Sequence, residues 1–159
     1  MTREEKRIQV VDACIAQQQH IADIAKQEMD SAQQQSNDYG ANVDRYDSYR
    51  TKMMRSRDMY AKQYSNALEA IRRLQELRRL KPFDSAVHGA VVITDKQCFF
   101  LSIGAGKFMV PFHPQSPRQV QVPFFAVSAQ TPIYLAIKGK HAGDTFTLNG
   151  LTQTITEIY

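Results

Sequence analysis

Two aspartates, Asp44 and Asp47, lie three residues apart in the stretch "NVDRYDSYR" at positions 42–50. Side chains with this spacing on a helix are neighbours, with about 5–6 Å between their Cβ atoms. Two such carboxylates can bind one divalent cation, and Mg²⁺ is commonly held by one or two carboxylates together with water and phosphate oxygens. Because two aspartates alone would bind Mg²⁺ weakly, this hypothesis requires another macromolecule to supply the remaining ligands.

The same spacing has a structural explanation. An aspartate at the N-cap of a helix, followed three residues later by a second carboxylate, is a variant of the capping box. Such a cap would stabilise the start of a helix by about 1 kcal/mol. Spacing alone favours the capping role for Asp44 and Asp47, and it leaves the metal role open.

Residues 1–81 have the pattern of two long helices. From Thr2 to Lys81 there is no proline, and Gly40 is the only glycine. Apolar or small residues recur at alternating steps of three and four, which is typical of a helix packed against another helix. The turn formers of "SNDYGANVD" separate two such series, so the pattern predicts an antiparallel coiled-coil helical hairpin. The first series is Ile8, Val11, Ile15, Gln18, Ala22, Ala25, Met29 and Ala32, and the second is Met53, Arg57, Tyr60, Tyr64, Ala67, Ile71 and Leu74.

Charge is distributed unevenly over this predicted hairpin. The whole chain has a net charge of +4, but residues 1–47 carry 5 basic and 9 acidic side chains, whereas residues 48–81 carry 10 basic and 3 acidic ones. A basic segment could favour nucleic acid or an acidic protein surface. Attraction between two oppositely charged helices is the alternative explanation, and both stay open.

Residues 82–159 read as a small β-rich domain. Short β-rich runs occur in "AVHGAVVIT", "CFFLSI", "FFAVSA", "DTFTL" and "LTQTITEIY", and Asn149-Gly150 is a strong hairpin signal. The segment "TPIYLAIKGK" predicts one short helix with Pro132 in its first turn and Gly139 at its end. Residues 111–123 contain four of the six prolines and predict a surface loop. The expected fold class is therefore α+β, with a compact antiparallel sheet and one helix over it.

Other catalytic or metal-binding patterns are not visible in the sequence. Gly104 and Gly106 in "SIGAGKF" lack the Ser or Thr and the helix that follow a phosphate-binding loop, so this segment predicts a turn between strands. The four histidines are scattered, and Cys14 and Cys98 have no paired spacing. With a charged N-terminus and no long apolar run, we expect a cytoplasmic protein without a membrane partner.

Two stretches, "DRYD" and "AVSAQTPIYLAIKGKHAGDTFTLNG", resemble the GreA/GreB transcript cleavage factors of bacterial RNA polymerase. At the hairpin tip, Gre factors have an Asp and a Glu three residues apart. In the C-terminal half, they have Ser-Pro-Ile, a short helix, Gly-Lys, Gly-Asp and a closing hairpin. The resemblance covers nearly the whole chain, and it implies an FKBP-like domain over residues 82–159. The matching positions are Thr131, Pro132, Ile133, Gly139, Lys140, Gly143 and Asp144.

This resemblance implies an accessory factor that has no catalytic residue and no bound cofactor of its own. The hairpin would enter the secondary channel of RNA polymerase, where Asp44 and Asp47 would share a Mg²⁺ ion with the polymerase. The polymerase's own active site would then cut backtracked RNA by two-metal hydrolysis. Residues expected near the channel and the RNA 3′ end are Arg45, Tyr46, Arg50 and Lys52, and those expected to dock on the polymerase are Thr131, Pro132 and Ile133.

The tip departs from the Gre pattern, and other functions stay open. Asp47 is one methylene shorter than the Glu of the family, and Arg45 and Tyr46 replace small or apolar residues. A factor that enters the channel and inhibits the polymerase without cleavage is one alternative. A coiled-coil adaptor for an unrelated protein is another. A prolyl isomerase is the weakest, because the fold alone supplies no active pocket and few aromatic residues are placed to line one.

Overall fold

The computed structural model describes residues 2–38, 48–111 and 121–159. Within these residues, two long α-helices precede six β-strands and a third, short helix, which confirms the α+β class. The helices are α1 (Arg3–Asp38), α2 (Ser48–Arg78) and α3 (Pro132–Ile137). The strands are β1 (Val91–Thr94), β2 (Cys98–Leu101), β3 (Gly106–Val110), β4 (Val122–Val127), β5 (Thr145–Leu148) and β6 (Leu151–Ile158).

The chain forms two compact units. One contains residues 1–17 and 73–159, and the other contains residues 18–72. The first unit therefore includes the beginning of α1 and the end of α2 together with the whole sheet. We name it the sheet unit, and we name residues 18–72 the helical unit.

In the helical unit, the buried positions follow the predicted helical spacing. Arg57 of α2 donates a hydrogen bond of 2.8 Å to the Gln33 Oε1 atom of α1. The seam consists mostly of small side chains, so it buries little apolar surface per turn. Met29, Tyr60 and Tyr64 are half-buried beside it. The buried seam residues are Gln18, Ala22, Ala25, Ala32 and Ser36 of α1 and Ala67 and Ile71 of α2.

The six strands form one mixed sheet in the order β3-β4-β2-β1-β6-β5. The expectation of a fully antiparallel sheet is wrong at one pair, because β2 and β4 run parallel, with Phe99 opposite Phe125. The reason is topological. Strand β4 lies between β2 and β3, it pairs antiparallel with β3, and β3 itself runs opposite to β2.

Both faces of this sheet are covered, which explains why β1 and β2 are buried at every position. Alternate residues point to opposite faces of a strand. Val91, Ile93 and Phe100 join a cluster that also contains Val10, Val11, Cys14, Leu74 and Leu77 of the two long helices. Val92, Phe99 and Leu101 join a second cluster with Tyr134 and Ile137 of α3.

The covering of the sheet also shifts the buried face of α1 near its start. The spacing predicts Ile8 and Ile15 in the seam, but both are only half-buried. Arg7, Val10 and Cys14 are fully buried instead. This part of α1 contacts the sheet as well as α2, so its buried face is wider than a two-helix seam.

Arg7 connects the long helices to the sheet. Its guanidinium donates hydrogen bonds to the carbonyl oxygens of Leu77 (2.7 Å), Leu80 (2.9 Å) and Gly89 (2.8 Å). Leu77 belongs to the last turn of α2 and Leu80 lies just beyond its end, where the helix dipole favours a cation. Burial lowers the pKa of the Arg7 guanidinium from its usual value. The charge is stabilised by carbonyl oxygens and by the Phe83 ring, whose centroid lies 5.5 Å away.

Local turn predictions are largely confirmed in the sheet unit. Asn149 and Gly150 have φ angles of 53° and 78° and join β5 to β6. Helix α3 begins with Thr131 as N-cap and Pro132 in its first turn, and Gly139 with φ 79° follows its end. The "SIGAGKF" segment joins β2 to β3, as expected for a turn between strands.

Two predictions on the β-rich half need correction. Strand β3 is absent from the predicted runs, because its sequence "GKFMV" begins with glycine and lysine and alternates only at Phe108 and Val110, which are buried. The predicted loop at 111–123 is too long at its end, since Val122 and Pro123 belong to β4 and Pro123 pairs with Met109. Residues 112–120 of that prediction lie outside the described residues.

Candidate functional site

The acidic pair lies in the chain segment between the two long helices. Helix α1 ends at Asp38 and α2 begins at Ser48. Asp44, Arg45, Tyr46 and Asp47 all belong to residues 39–47, which lie outside the part of the chain that the structure describes. The metal role and the capping role of the two aspartates both stay predictions.

The start of α2 is basic. Arg50 lies in the first turn of α2, which contains no acidic residue, and Lys52 is the first residue after that turn. Cations are unfavourable near a helix N-terminus, because the macrodipole there is positive. Arg50 is half-buried and takes part in an interaction within the protein, whereas Lys52 is exposed. The helix dipole therefore does not favour basic residues at these positions.

Exposed basic residues continue along one face of α2. Lys52, Arg55 and Lys62 are spaced by three and seven residues, so they share a side of the helix, and all are exposed. We name these three residues the basic face. The one carboxylate between positions 48 and 66 is Asp58, and Arg57 binds it with an Nη2–Oδ1 distance of 2.7 Å. Asp58 is therefore paired with Arg57, which is not a member of the basic face.

Three ion pairs inside the helical unit bear on whether the opposite charges of α1 and α2 attract the two helices to each other. Lys26 binds Asp30 at 3.3 Å, and Arg72 binds Glu69 at 2.6 Å. Like the Arg57–Asp58 pair, both lie within a single helix, so these three pairs do not hold α1 and α2 together. Exposed pairs of this kind contribute about 0.2–1 kcal/mol each.

The three predicted docking residues have different environments. Thr131 uses its hydroxyl inside the protein: Oγ1 donates to the Ser128 carbonyl at 2.7 Å and accepts from the Tyr134 amide at 3.4 Å. Ile133 is half-buried and packs against the second core cluster. Pro132 is exposed. Of the three residues, Pro132 has the accessibility that a docking contact requires.

Sequence reasoning missed Leu135, which is 63% exposed. It lies three residues after Pro132 and therefore on the same side of α3. The pattern of "PIYLAI" contained the signal: Tyr134 and Ile137 are three apart and buried, which leaves Leu135 on the opposite side of the helix. Pro132 and Leu135 together form a small apolar surface, which we name the α3 patch.

An apolar cleft of about 440 Å³ lies between α3 and the sheet. Its wall includes Phe99 and Phe125, with ring centroids 6.2 Å apart, and Ile133 of the predicted docking segment. The sequence suggested few aromatic residues in position to line a pocket, yet two phenylalanines do so. A cleft with aromatic walls can take an apolar side chain.

No metal centre or reactive thiol is present in the described part of the chain. Residues 2–38, 48–111 and 121–159 contain no group of three His, Cys, Asp or Glu side chains suited to a metal ion. Burial raises the pKa of the Cys14 thiol to about 12 and that of Cys98 to about 11. Both thiols are thus neutral near pH 7 and are poor nucleophiles.

Among the described helices, none combines the length and the apolar character needed to cross a bilayer. Comparisons of the chain with protein-family models, curated proteins and solved structures found no match. The relation to the GreA/GreB factors therefore remains a prediction from the residues that resemble them.

Proposed function

We propose that this chain is a cytoplasmic RNA polymerase-binding transcription elongation factor of the GreA/GreB type. Its two long helices form an antiparallel coiled-coil hairpin, and the sheet with α3 forms an FKBP-like domain. The hairpin tip enters the secondary channel, where the factor stimulates cleavage of backtracked RNA by the polymerase's own active site. The factor is not itself an enzyme.

The observation that carries this proposal is the position of the acidic pair in the chain. Asp44 and Asp47 fall within the nine residues between the end of α1 and the start of α2. Both helices are more than thirty residues long. At about 1.5 Å per residue, a helix of this length reaches roughly 50 Å. A long narrow element with carboxylates at its tip is what delivery of a ligand into a deep channel requires.

Interhelical contacts support the antiparallel hairpin. In the sheet unit, Arg78 of α2 binds Asp12 of α1 with an Nε–Oδ1 distance of 2.6 Å. In the helical unit, Arg57 binds Gln33. Asp12 precedes Gln33 in α1, whereas its partner Arg78 follows Arg57 in α2, so the two contacts occur in opposite order along the two helices, as antiparallel helices require.

Each group has a separate role in this proposal. Asp44 and Asp47 bind a Mg²⁺ ion that the polymerase and the RNA also coordinate, which places the ion to activate water. Arg45, Tyr46, Arg50 and Lys52 lie close to the nascent RNA 3′ end and its phosphates. Thr131, Pro132 and Ile133 belong to the docking segment on the polymerase, and the exposed Leu135 extends its accessible surface.

Co-purification with bacterial core RNA polymerase tests the partner. We expect the full-length chain to bind the core enzyme in gel filtration, and we expect Pro132→Ser with Leu135→Ser to weaken that binding. Met109→Ser is a control, since Met109 is also an exposed apolar residue of the sheet unit. Failure of the wild-type chain to bind the polymerase would instead favour an adaptor for another protein.

A second candidate function is an inhibitor that enters the same channel without stimulating cleavage. Arg45 and Tyr46 between the carboxylates, and the shorter reach of Asp47, favour it. An inhibitor slows RNA synthesis on a defined template without shortening the RNA in stalled complexes. Elongation and cleavage assays on the same stalled complexes distinguish the two functions.

A further inference from the structure

A second cleft, of about 450 Å³, lies within the sheet unit. Ser102 and Ser128 line it. Ser102 directly follows β2, and Ser128 directly follows β4, the strand that runs parallel to β2. Because paired parallel strands end at the same edge of a sheet, these two serines lie at one edge. The carboxyl ends of parallel strands are a frequent place for ligand sites in open sheets.

Two oppositely charged side chains line the helical wall of this cleft. Arg73 and Glu76 of α2 are three residues apart, so their Cβ atoms are about 5–6 Å from each other. Both also take part in interactions within the protein. A guanidinium has five N–H donors and a carboxylate has about four acceptor positions, so each can bind a ligand group in addition. The cleft therefore offers a cation and an anion side by side.

Ser102 supplies an independent sign of a missing partner. Its side chain is 4% exposed, and its Oγ has no hydrogen-bond partner among the described residues. A buried hydroxyl without a partner lowers the stability of the folded state. Buried polar groups in native proteins are usually satisfied, so an unpartnered hydroxyl in a residue that lines a cleft calls for an explanation. A polar ligand in the cleft would provide one.

We propose that this cleft binds a small zwitterionic metabolite of the amino-acid class. Arg73 binds the ligand's carboxylate, Glu76 accepts hydrogen bonds from its ammonium group, and the hydroxyl of Ser102 or Ser128 completes the polar contacts. Leu77 and Ile103, which also line the cleft, contact the ligand's side chain. This site goes beyond the proposed role in transcription and does not depend on it.

The charge of the lining selects this class over two simpler ones. A plain anion such as phosphate would be attracted by Arg73 but repelled by Glu76. An uncharged apolar molecule would leave both charges and the Ser102 hydroxyl without new partners while excluding water from them. A ligand with a carboxylate and an ammonium group complements both charged residues at once.

Isothermal titration calorimetry on the full-length chain tests the ligand class. The probes are the twenty amino acids, followed by analogues of the best binder that lack either its amino or its carboxyl group, and inorganic phosphate. We expect saturable binding of at least one amino acid and at least about tenfold weaker binding of each analogue. Binding of phosphate alone, of the analogues equally well, or of no probe would overturn the proposal.

Three substitutions locate the site. Gly104→Val narrows the cleft without backbone strain, because a Cβ at Gly104 would lie 3.8 Å from the Ser128 Oγ, an ordinary contact. Arg73→Gln removes the cation, and Arg79→Gln is the matched control, since Arg79 is an exposed arginine outside the cleft. We expect the first two variants to lose at least about tenfold in affinity and the control to bind normally.

Ser102→Ala separates a ligand contact from a structural role. We expect its melting temperature to rise, because an unsatisfied buried hydroxyl is removed, while affinity for the amino acid falls. Unchanged binding in both Gly104→Val and Arg73→Gln would overturn the assignment of the ligand to this cleft. Circular dichroism spectra of all variants check that each one is folded.

Discussion

At the scale of single residues, Arg7 is the clearest example of a buried polar group with a structural role. A fully buried arginine is costly unless its donors are satisfied. Arg7 is 0% exposed, and its two Nη atoms donate to the carbonyl oxygens of Leu77, Leu80 and Gly89, whereas its Nε has no hydrogen-bond partner among the described residues. The sequence alone does not indicate this burial, since Arg7 is one of several charged residues at the start of a predicted helix.

We expect Arg7→Met to lower the free energy of unfolding by about 3 kcal/mol, at the upper end for single substitutions. Three carbonyl groups lose a charged donor; that of Leu77 still accepts from the Leu80 amide, and a buried acceptor without a partner costs about 1–3 kcal/mol. Chemical denaturation measured by circular dichroism gives the value. Arg79→Met, at an exposed position, is the control and should change stability by less than about 0.5 kcal/mol. Equal stabilities for the two variants would contradict this role.

The two cysteines give a prediction on pH and reactivity. Their pKa values are raised by burial, to about 12 for Cys14 and about 11 for Cys98, from a usual value of 9.0. Above pH 9 the unfolded chain loses thiol protons that the folded chain retains, so the free energy of unfolding falls as pH rises. At pH 8 we expect a disulfide reagent to modify neither thiol of the native protein quickly, and both in denaturant. Rapid modification of either thiol in the native protein would contradict its burial.

At the scale of elements, the sequence predicted those features that depend on local chemistry. The Asn149-Gly150 turn and helix α3 follow from residues that favour one backbone conformation. The seam residues of the helical unit follow from periodicity. Strand β3 and the parallel pairing of β2 with β4 did not follow, because they depend on which strands meet in three dimensions. The wider buried face near Arg7 was missed for the same reason, since it depends on contact with the sheet.

The residues of the candidate sites also divide into those that the sequence predicts and those that depend on the three-dimensional fold. The acidic pair and the docking segment were identified from residue types and short motifs. Leu135 was missed because its exposure depends on which side of α3 packs on the sheet. The second cleft was missed because its lining comes from α2, from the β2–β3 connection and from the turn before α3.

Substitutions of Thr131, the N-cap of α3, distinguish a structural role of this residue from a docking role. We expect Thr131→Ala to destabilise the protein by about 1 kcal/mol through loss of the N-cap, while Thr131→Ser retains stability. Thermal denaturation measures both. If polymerase binding falls only as far as stability falls, the hydroxyl of Thr131 acts by positioning Pro132. A loss of binding in the serine variant at unchanged stability would show that the threonine methyl contacts the partner.

The basic face of α2 gives a prediction on salt dependence. Lys52→Gln with Arg55→Gln should weaken binding to a polymerase–RNA complex and reduce its dependence on salt, since fewer counterions are released. Arg79→Gln with Lys81→Gln is the control, because it also removes two positive charges from exposed residues but lies outside the basic face. Binding measured between low and moderate salt gives the slopes. Equal slopes for the double variant and the wild type would mean that the basic face does not contact the nucleic acid.

At the scale of the whole molecule, the chain combines a core-rich unit with a unit held by a thin seam. In the sheet unit, two apolar clusters cover both faces of one sheet, so stability is concentrated there. The helical unit buries mainly alanine, glutamine and serine along α1. We therefore expect amide hydrogen exchange to be slowest in β1 and β2 and faster in residues 18–38 and 48–72. Slower exchange in the helical unit would contradict this distribution of stability.

The central claim is that the carboxylates of Asp44 and Asp47 act on a metal ion that another macromolecule also binds. Asparagine caps a helix about as well as aspartate, but it lacks the negative charge that Mg²⁺ requires. The most direct measurement is therefore RNA cleavage in stalled polymerase complexes with wild-type chain and with Asp44→Asn plus Asp47→Asn, after both have been shown to bind the polymerase equally. We expect the wild-type chain to shorten the RNA and the double variant not to. Equal cleavage by the two proteins would contradict the central claim.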